Sequence, residues 1–468
     1  MGLNDLEDQR KFIHERFEDA TEAEEDGKFE RVLSLCEEII GLDERHADAW
    51  KMRTRALIAL ERLDQALSNA EEGLRRFPNT TAHRLMKARI QVRLRQWQEA
   101  EATYRAILAD KPLTLNAIRE LMDFETIRLD DDIAQTLVRH QNDLSLKPYD
   151  RASTWFLLAQ IHLNAGRDDE AFALYAEGNR QMRDLHEGSR LEYGFSRLLP
   201  EFDAAFQGRH ARLDPPPPCP LLLIVGLPRS GKSLLERLLA SQPDLVAGGE
   251  VSFIYSLFLD VDRTHGADEA MRRLMRPQPS PIARRFRMIL QQNPKKSATR
   301  VIDTTPGNLE QLAFLGPMHP DVPVVFVRRD PSDLATALFF KQFNKAHRYT
   351  YDLEIAARAI ARTEHLAQLW QRTLPNPMIE VSYEEIVRDP VGTARRVLER
   401  FGLAVDEAAL HRAATDDGRK LNLMPGRSLD GVGAIRGDLV GFSDRFSRHL
   451  TAVLPAYEAE RRVLGDRS

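Results

Sequence analysis

The sequence predicts an α plus α/β protein: a helical repeat solenoid followed by a P-loop-like α/β domain with a mainly parallel sheet. Three observations predict it. A 34-residue period runs through the first half of the chain, and four successive prolines, 215–218, then interrupt the helical pattern. Beyond them apolar strand-like runs alternate with helical ones, and the first such run ends in the loop "VGLPRSGKS" (225–233).

The repeats come first in the chain. The segments "GKFERVLSLCEEII" (27–40), "ERLDQALSNAEEGL" (61–74) and "RQWQEAEATYRAIL" (95–108) align, with Phe29, Leu63 and Trp97 spaced by 34 residues. Val32, Ala66 and Ala100 repeat at the same interval, and so do Pro78 and Pro112. A large apolar residue, a small residue and a closing proline at this period form the tetratricopeptide pattern of paired antiparallel helices. One such pair cannot bury its apolar face alone, so neighbouring pairs must stack. Weaker copies follow at "DDIAQTLVRHQNDL" (131–144) and "GRDDEAFALYAEGN" (166–179).

The prolines come next. They lack N–H donors and favour an extended segment, so helix cannot continue through them. The sequence therefore predicts a repeat domain over 1–182, a helical connector and proline-rich joint over 183–218, and an α/β domain over 219–468. In the last, "LLLIVG", "TRVID", "VPVVFVRR" and "MIEVSY" are the expected strands. Strands alternating with helices predict a parallel sheet covered on both faces.

Composition narrows the function. The 66 basic and 71 acidic residues leave a net charge of −5, which gives no general attraction to nucleic acid or to an anionic membrane. The two cysteines, Cys36 and Cys219, lack metal-ligand spacing, so neither a zinc site nor a disulfide framework is expected. No apolar run approaches the roughly 20 residues of a membrane span, and the charged start lacks a signal-peptide core. A cytoplasmic protein is expected.

The loop carries the chemistry. Gly226 and Gly231 permit a tight turn after a strand, so successive N–H groups point at an anion on the N-terminus of the helix that follows. Arg229, Lys232 and Ser233 add two cations and a hydroxyl. From Gly226 to Ser233 the residues also satisfy the G-x-x-x-x-G-K-S expression of ATP and GTP sites. Such a site needs Mg²⁺ and an acid at a strand end, and Asp303 in "RVIDTT" is the best placed. A second strand ends instead in Arg328–Arg329, which suggests another anion site. A structural ion pair with Asp330 or Asp333 is the equal alternative for that arginine pair.

Three stretches, 228–250, 324–343 and 379–403, together resemble the sulfotransferase superfamily. The order of repeats, joint and α/β domain is similar to that of bacterial tetratricopeptide-repeat sulfotransferases, which take a sulfuryl group from 3′-phosphoadenosine 5′-phosphosulfate (PAPS). The resemblance implies that Pro228, Arg229, Ser230, Gly231, Lys232 and Ser233 cradle the 5′-phosphosulfate. It implies that Arg329 and Thr336 meet the 3′-phosphate, with Arg436 closing over it from the loop "GVGAIRGDLVGFSDRF" (431–446). Glu250, ending "GGE", matches a general base, and Arg229 and Lys232 would stabilise the transferring group. No metal is implied. The chain departs from the family at Ala337, where a Ser is usual, at Thr304, where a Lys is frequent, and at Lys232, where a Thr is usual. The acceptor is a peptide, protein or small molecule, with the repeats as a recognition surface for it, for another partner or for a second copy of the chain. An inactive sulfotransferase-like scaffold and an ATP-dependent kinase are the alternatives.

Overall fold

The computed structural model describes residues 3–25, 28–60, 62–78, 80–186, 218–254, 256–257, 269, 280–293, 295–415, 435 and 437–465. The chain forms two compact units, Met1–Arg139 and His140–Ser468. Among the described residues no helix is long and apolar enough to cross a membrane.

The first unit is built from α1 (Leu3–Glu25), α2 (Phe29–Leu42), α3 (Ala47–Ala59), α4 (Leu63–Arg76), α5 (Thr81–Arg93), α6 (Trp97–Asp110) and α7 (Leu115–Leu121). Helix α8 (Asp132–His140) ends at the division. The three aligned segments are α2, α4 and α6, the second helix of each pair. Their periodic positions Val32, Ala66 and Ala100 are fully buried, because an alanine there lets the partner helix approach closely. Met52, Ala56, Ala70 and Ile90 complete this core. Exposed arginines then bridge helices along the array: Arg55 pairs with Glu24 at 2.7 Å, Arg62 with Glu30 at 2.5 Å and Arg89 with Glu120 at 2.6 Å.

The second unit begins with the hairpin α9 (Pro148–Asn164) and α10 (Asp168–Leu185). It continues with β1 (Leu221–Val225), α11 (Lys232–Ala240), β2 (Leu245–Ala247), α12 (Pro281–Gln292), β3 (Arg300–Asp303), α13 (Asn308–Met318) and β4 (Val324–Arg328). After these come α14 (Pro331–Phe339), α15 (Leu353–Thr373), β5 (Met378–Ser382), α16 (Tyr383–Arg388), α17 (Pro390–Arg400), α18 (Glu407–Thr415) and α19 (Val453–Gly465). The strand order is β2-β3-β1-β4-β5, and every neighbouring pair is parallel.

All five residues of β1 are buried, which requires cover on both faces. Leu221, Leu223 and Val225 pack with Phe286, Phe314 and Trp370, while Leu222 and Ile224 meet Leu235, Leu238 and Val397. The chain leaves β1 for β2 and β3 on one side and reaches β4 on the other. The C-terminal end of β1 is therefore the switch point where open parallel sheets bind ligands.

The α9–α10 hairpin packs inside this unit. Tyr175 stacks on Phe340 at 4.1 Å, and the Asn179 Nδ2 donates to the Phe339 carbonyl at 2.8 Å. Arg445 donates to Asp168 at the start of α10 at 3.0 Å. The expected joint falls largely on 187–217, outside the described residues.

Candidate functional site

The loop 226–231 sits at the end of β1 in a conformation that dictates its glycines. Gly226 has φ +143°, and a Cβ there would lie 2.4 Å from the Val327 carbonyl oxygen of the neighbouring strand. Gly231 has φ +106° and presses against the Tyr383 ring. Arg229 adopts φ +73°, a left-handed conformation that costs a non-glycine residue free energy and recurs at functional sites. Helix α11 starts from Gly231, so its first N–H groups have no partner within the helix and face the loop's concavity.

Two polar side chains are buried in the loop. Ser230 is 1% exposed, and among the described residues its Oγ has no hydrogen-bond partner. Lys232 is buried, and its Nζ donates to the carbonyls of Gly226 and Leu227, both at 3.0 Å. Burial lowers the Lys232 ammonium to about 8, against the opposing pull of Glu250 and Glu236. The lysine thus ties the loop to itself, next to the exposed Ser233. Pro228 is half-buried.

Arg329, at the end of β4, is 1% exposed. Its guanidinium donates to the Leu439 carbonyl at 2.7 Å and to the Arg229 carbonyl at 3.3 Å, and lies 4.4 Å over the Tyr383 ring. Asp333 stands 3.9 Å from it and accepts the backbone N–H groups of Gly441 and Ser443 at 2.8 and 2.7 Å. The ion-pair alternative is thus met by Asp333, and Arg329 links the loop after β1 to the C-terminal segment. Arg328 turns away to Glu380 at 2.6 Å.

The rest of that motif is helix capping. Asp330 accepts from Ser332 and Asp333 N–H groups ahead of Pro331, the first residue of α14. Thr336 is fully buried and donates to the Ser332 carbonyl at 2.8 Å, and Ala337 beside it is also buried. In the third motif, Ser382 and Glu385 form a capping box for α16, and Asp389 caps α17 ahead of Pro390. Tyr383 of that motif lies against Gly231 of the loop. Arg436 lies outside the described residues.

Glu250 is exposed beside the loop, after the turn Gly248–Gly249. The turn follows β2, a three-residue strand that the sequence did not signal. Beneath it lies Glu236 of α11, which accepts the Gly249 N–H at 2.8 Å. Burial raises its carboxyl to about 7, with Asp303 and Glu250 adding to the rise and the Gly249 and Gly248 N–H groups opposing it. Asp303 is fully buried and accepts both the Thr305 N–H, at 2.9 Å, and the Thr305 hydroxyl, at 2.6 Å; burial raises its carboxyl too. Among the described residues no group of three or more His, Cys, Asp or Glu is placed to hold a metal ion.

His347 is the other residue that sequence reasoning missed. It lies in the 3₁₀ segment Lys345–Tyr351, with its Nδ1 3.3 Å from the Tyr349 hydroxyl. Burial, with the charge of Lys232 adding to it, lowers its imidazole to about 4, so the ring is neutral near pH 7. Glu236 lies within the stretch 228–250 but is given no role there, hinted at only as an acidic residue inside the apolar "SLLERLLAS", and His347 falls outside all three stretches.

Fold and loop together define an α/β domain with a glycine-containing loop at the switch point of its parallel sheet. Residues 220–407 match the sulfotransferase family and residues 51–113 the tetratricopeptide repeat, so each unit of the chain carries a region similar to one of these families. A curated relative, an uncharacterized protein of Aquifex aeolicus (strain VF5), is 20% identical over 389 residues, 78% of this chain. The chain spans about half that relative's length (49%). Among solved structures, the sulfotransferase domain of the Synechococcus PCC 7002 olefin synthase is similar over 53% of this chain and 96% of its own, at 18% identity and a TM-score of 0.36. The sulfotransferase domain from the curacin biosynthetic pathway is similar over 50% and 98%, at 14% identity and a TM-score of 0.32.

Proposed function

We propose that the protein transfers a sulfuryl group from PAPS to a hydroxyl or amine acceptor. The observation that carries this reading is the loop after β1: Arg229 held at φ +73°, the buried Ser230 hydroxyl and the N-terminus of α11 are adjacent in the chain within the region that matches the family. In the reaction the acceptor oxygen forms a bond to sulfur as the bond from sulfur to the 5′-phosphate oxygen breaks, and the acceptor's proton passes to a base. Glu250 is that base, exposed to solvent and near enough to Lys232 for their charges to interact. The loop N–H groups, Arg229, Ser230, Lys232 and Ser233 hold the phosphosulfate and the charge of the leaving group. Arg329 serves the 3′-phosphate by exchanging a carbonyl partner for it. Its present donation to two carbonyls leaves Tyr383 to fix the plane of the guanidinium. The repeat unit recognises the acceptor or another partner, as stacked helix pairs offer an extended concave surface.

Isothermal titration with adenosine 3′,5′-bisphosphate tests the reading. Binding without added metal, at least tenfold tighter than adenosine 5′-phosphate, is expected. The absence of binding at millimolar bisphosphate, or tighter binding of Mg-ATP than of bisphosphate, overturns it.

A further inference from the structure

The turn that carries Glu250 is held from two sides. On one, Gly249 donates to Glu236 at 2.8 Å, while its carbonyl accepts the Thr304 N–H at 2.8 Å and Gly248 donates to the Ile302 carbonyl at 2.9 Å. On the other, Ser252 donates to the Thr305 hydroxyl at 2.9 Å, and that hydroxyl donates to Asp303 at 2.6 Å. The Ile302 and Thr305 contacts come from β3 and its end. The Glu236 contact differs, because it comes from the helix whose N-terminus is the phosphate loop.

Lys232 and Glu236 stand one helical turn apart on α11 and therefore share a face. The lysine holds the loop carbonyls of Gly226 and Leu227, and the glutamate holds Gly249. One face of one helix thus grips both lips of the site. We propose that Glu236 is a positioning residue that acts through Glu250: it fastens the Gly248–Glu250 turn to α11, so that the base and the donor loop are set by a single rigid element. This role rests on the sulfuryl-transfer reading above.

The chemistry of the clamp makes it sensitive to pH. A charged carboxylate accepts an N–H bond more strongly than a neutral acid. The groups facing Glu236 are Asp303 from the end of β3, Glu250 from the turn and Lys232 from its own helix. The two carboxylates favour its protonated form and Lys232 its ionised form, and burial places the balance near neutrality. Below that pH the clamp is loose, and above it the clamp is tight.

The test uses the full chain with Glu236→Ala and Glu236→Gln, and it needs no acceptor. Amide exchange over residues 248–252 is followed from pH 5.5 to 8.5, corrected for intrinsic rates, with and without adenosine 3′,5′-bisphosphate. In the parent protein, protection of the turn rises about tenfold as pH passes through about 7, the size expected for gaining a hydrogen bond to a charge. Glu236→Gln keeps an acceptor for Gly249, so its protection is intermediate and flat with pH. Glu236→Ala loses about tenfold at high pH. Bisphosphate protects the turn further in the parent protein and leaves it unchanged in Glu236→Ala. Protection in Glu236→Ala equal to the parent's, or a parent profile that is flat with pH, overturns the clamp. If the parent does not bind bisphosphate, the sulfuryl-transfer reading fails, while the pH arm still judges the clamp by itself.

Discussion

The two units use charge in opposite ways. Along the repeat array, arginines such as Arg55, Arg62 and Arg89 reach across solvent to glutamates of neighbouring helices, with side chains 41–50% exposed. In the α/β unit the charges that matter are inside: Arg329 and Asp333 are each 1% exposed, Asp303 fully buried, and Lys232 and Glu236 nearly so. Exposed pairs contribute little because water and salt screen them. A buried charge is held by several partners at once, and deleting one member leaves the others unsatisfied. The array is therefore tolerant where the site is brittle.

Arg329→Ala breaks that contrast hardest. It strips the Leu439 and Arg229 carbonyls of a donor and leaves Asp333 buried without its cation. A loss of about 3–5 kcal/mol is expected in denaturant unfolding of the second unit. Where the variant is folded, it weakens adenosine 3′,5′-bisphosphate more than adenosine 5′-phosphate. Equal losses for the two ligands remove the 3′-phosphate assignment, and an unchanged unfolding midpoint removes the structural one.

Gly226→Ala comes next. Its Cβ meets the Val327 carbonyl at 2.4 Å in a backbone region that alanine avoids. Steric and conformational strain together cost about 2–4 kcal/mol, and bisphosphate affinity falls with it because the loop must shift. Unaltered affinity, measured by titration, shows that the turn does not shape the anion site.

What the sequence disclosed follows the reach of its interactions. Periodic apolar positions report contacts one or two helices away, and the three aligned segments accordingly fold as α2, α4 and α6. The apolar runs reported β1, β3, β4 and β5, and the glycines of 225–233 reported the loop. The short strand β2 has only three residues, too few for any period. Glu236 reads as the polar side of an amphipathic helix, because its partner Gly249 is brought to it only by β2 returning beside β3. Phe172 and Tyr175 likewise read as ordinary repeat-core positions, yet they face Phe339 and Phe340 from far along the chain. Arg329 stood out in the sequence by its place after β4, while its commitment to Leu439 and Arg229 required the fold.

The smallest effect sharpens the comparison from the array's side. Arg89 makes a two-pronged contact with Glu120, at 3.0 and 2.6 Å, from a side chain that is 50% exposed. In Arg89→Ala, Glu120 keeps the Tyr104 hydroxyl, which donates to it at 2.9 Å, and so no buried group is orphaned. The loss is below about 1 kcal/mol and shrinks further in molar salt, as read from unfolding of the first unit. Glu120→Ala takes the acceptor from Tyr104, a side chain 1% exposed, and should cost more than Arg89→Ala and resist salt. The two substitutions remove the same ion pair, so the difference between them isolates burial. An Arg89→Ala loss as large as that of Glu120→Ala, and equally deaf to salt, would mean that the array too relies on fixed charge.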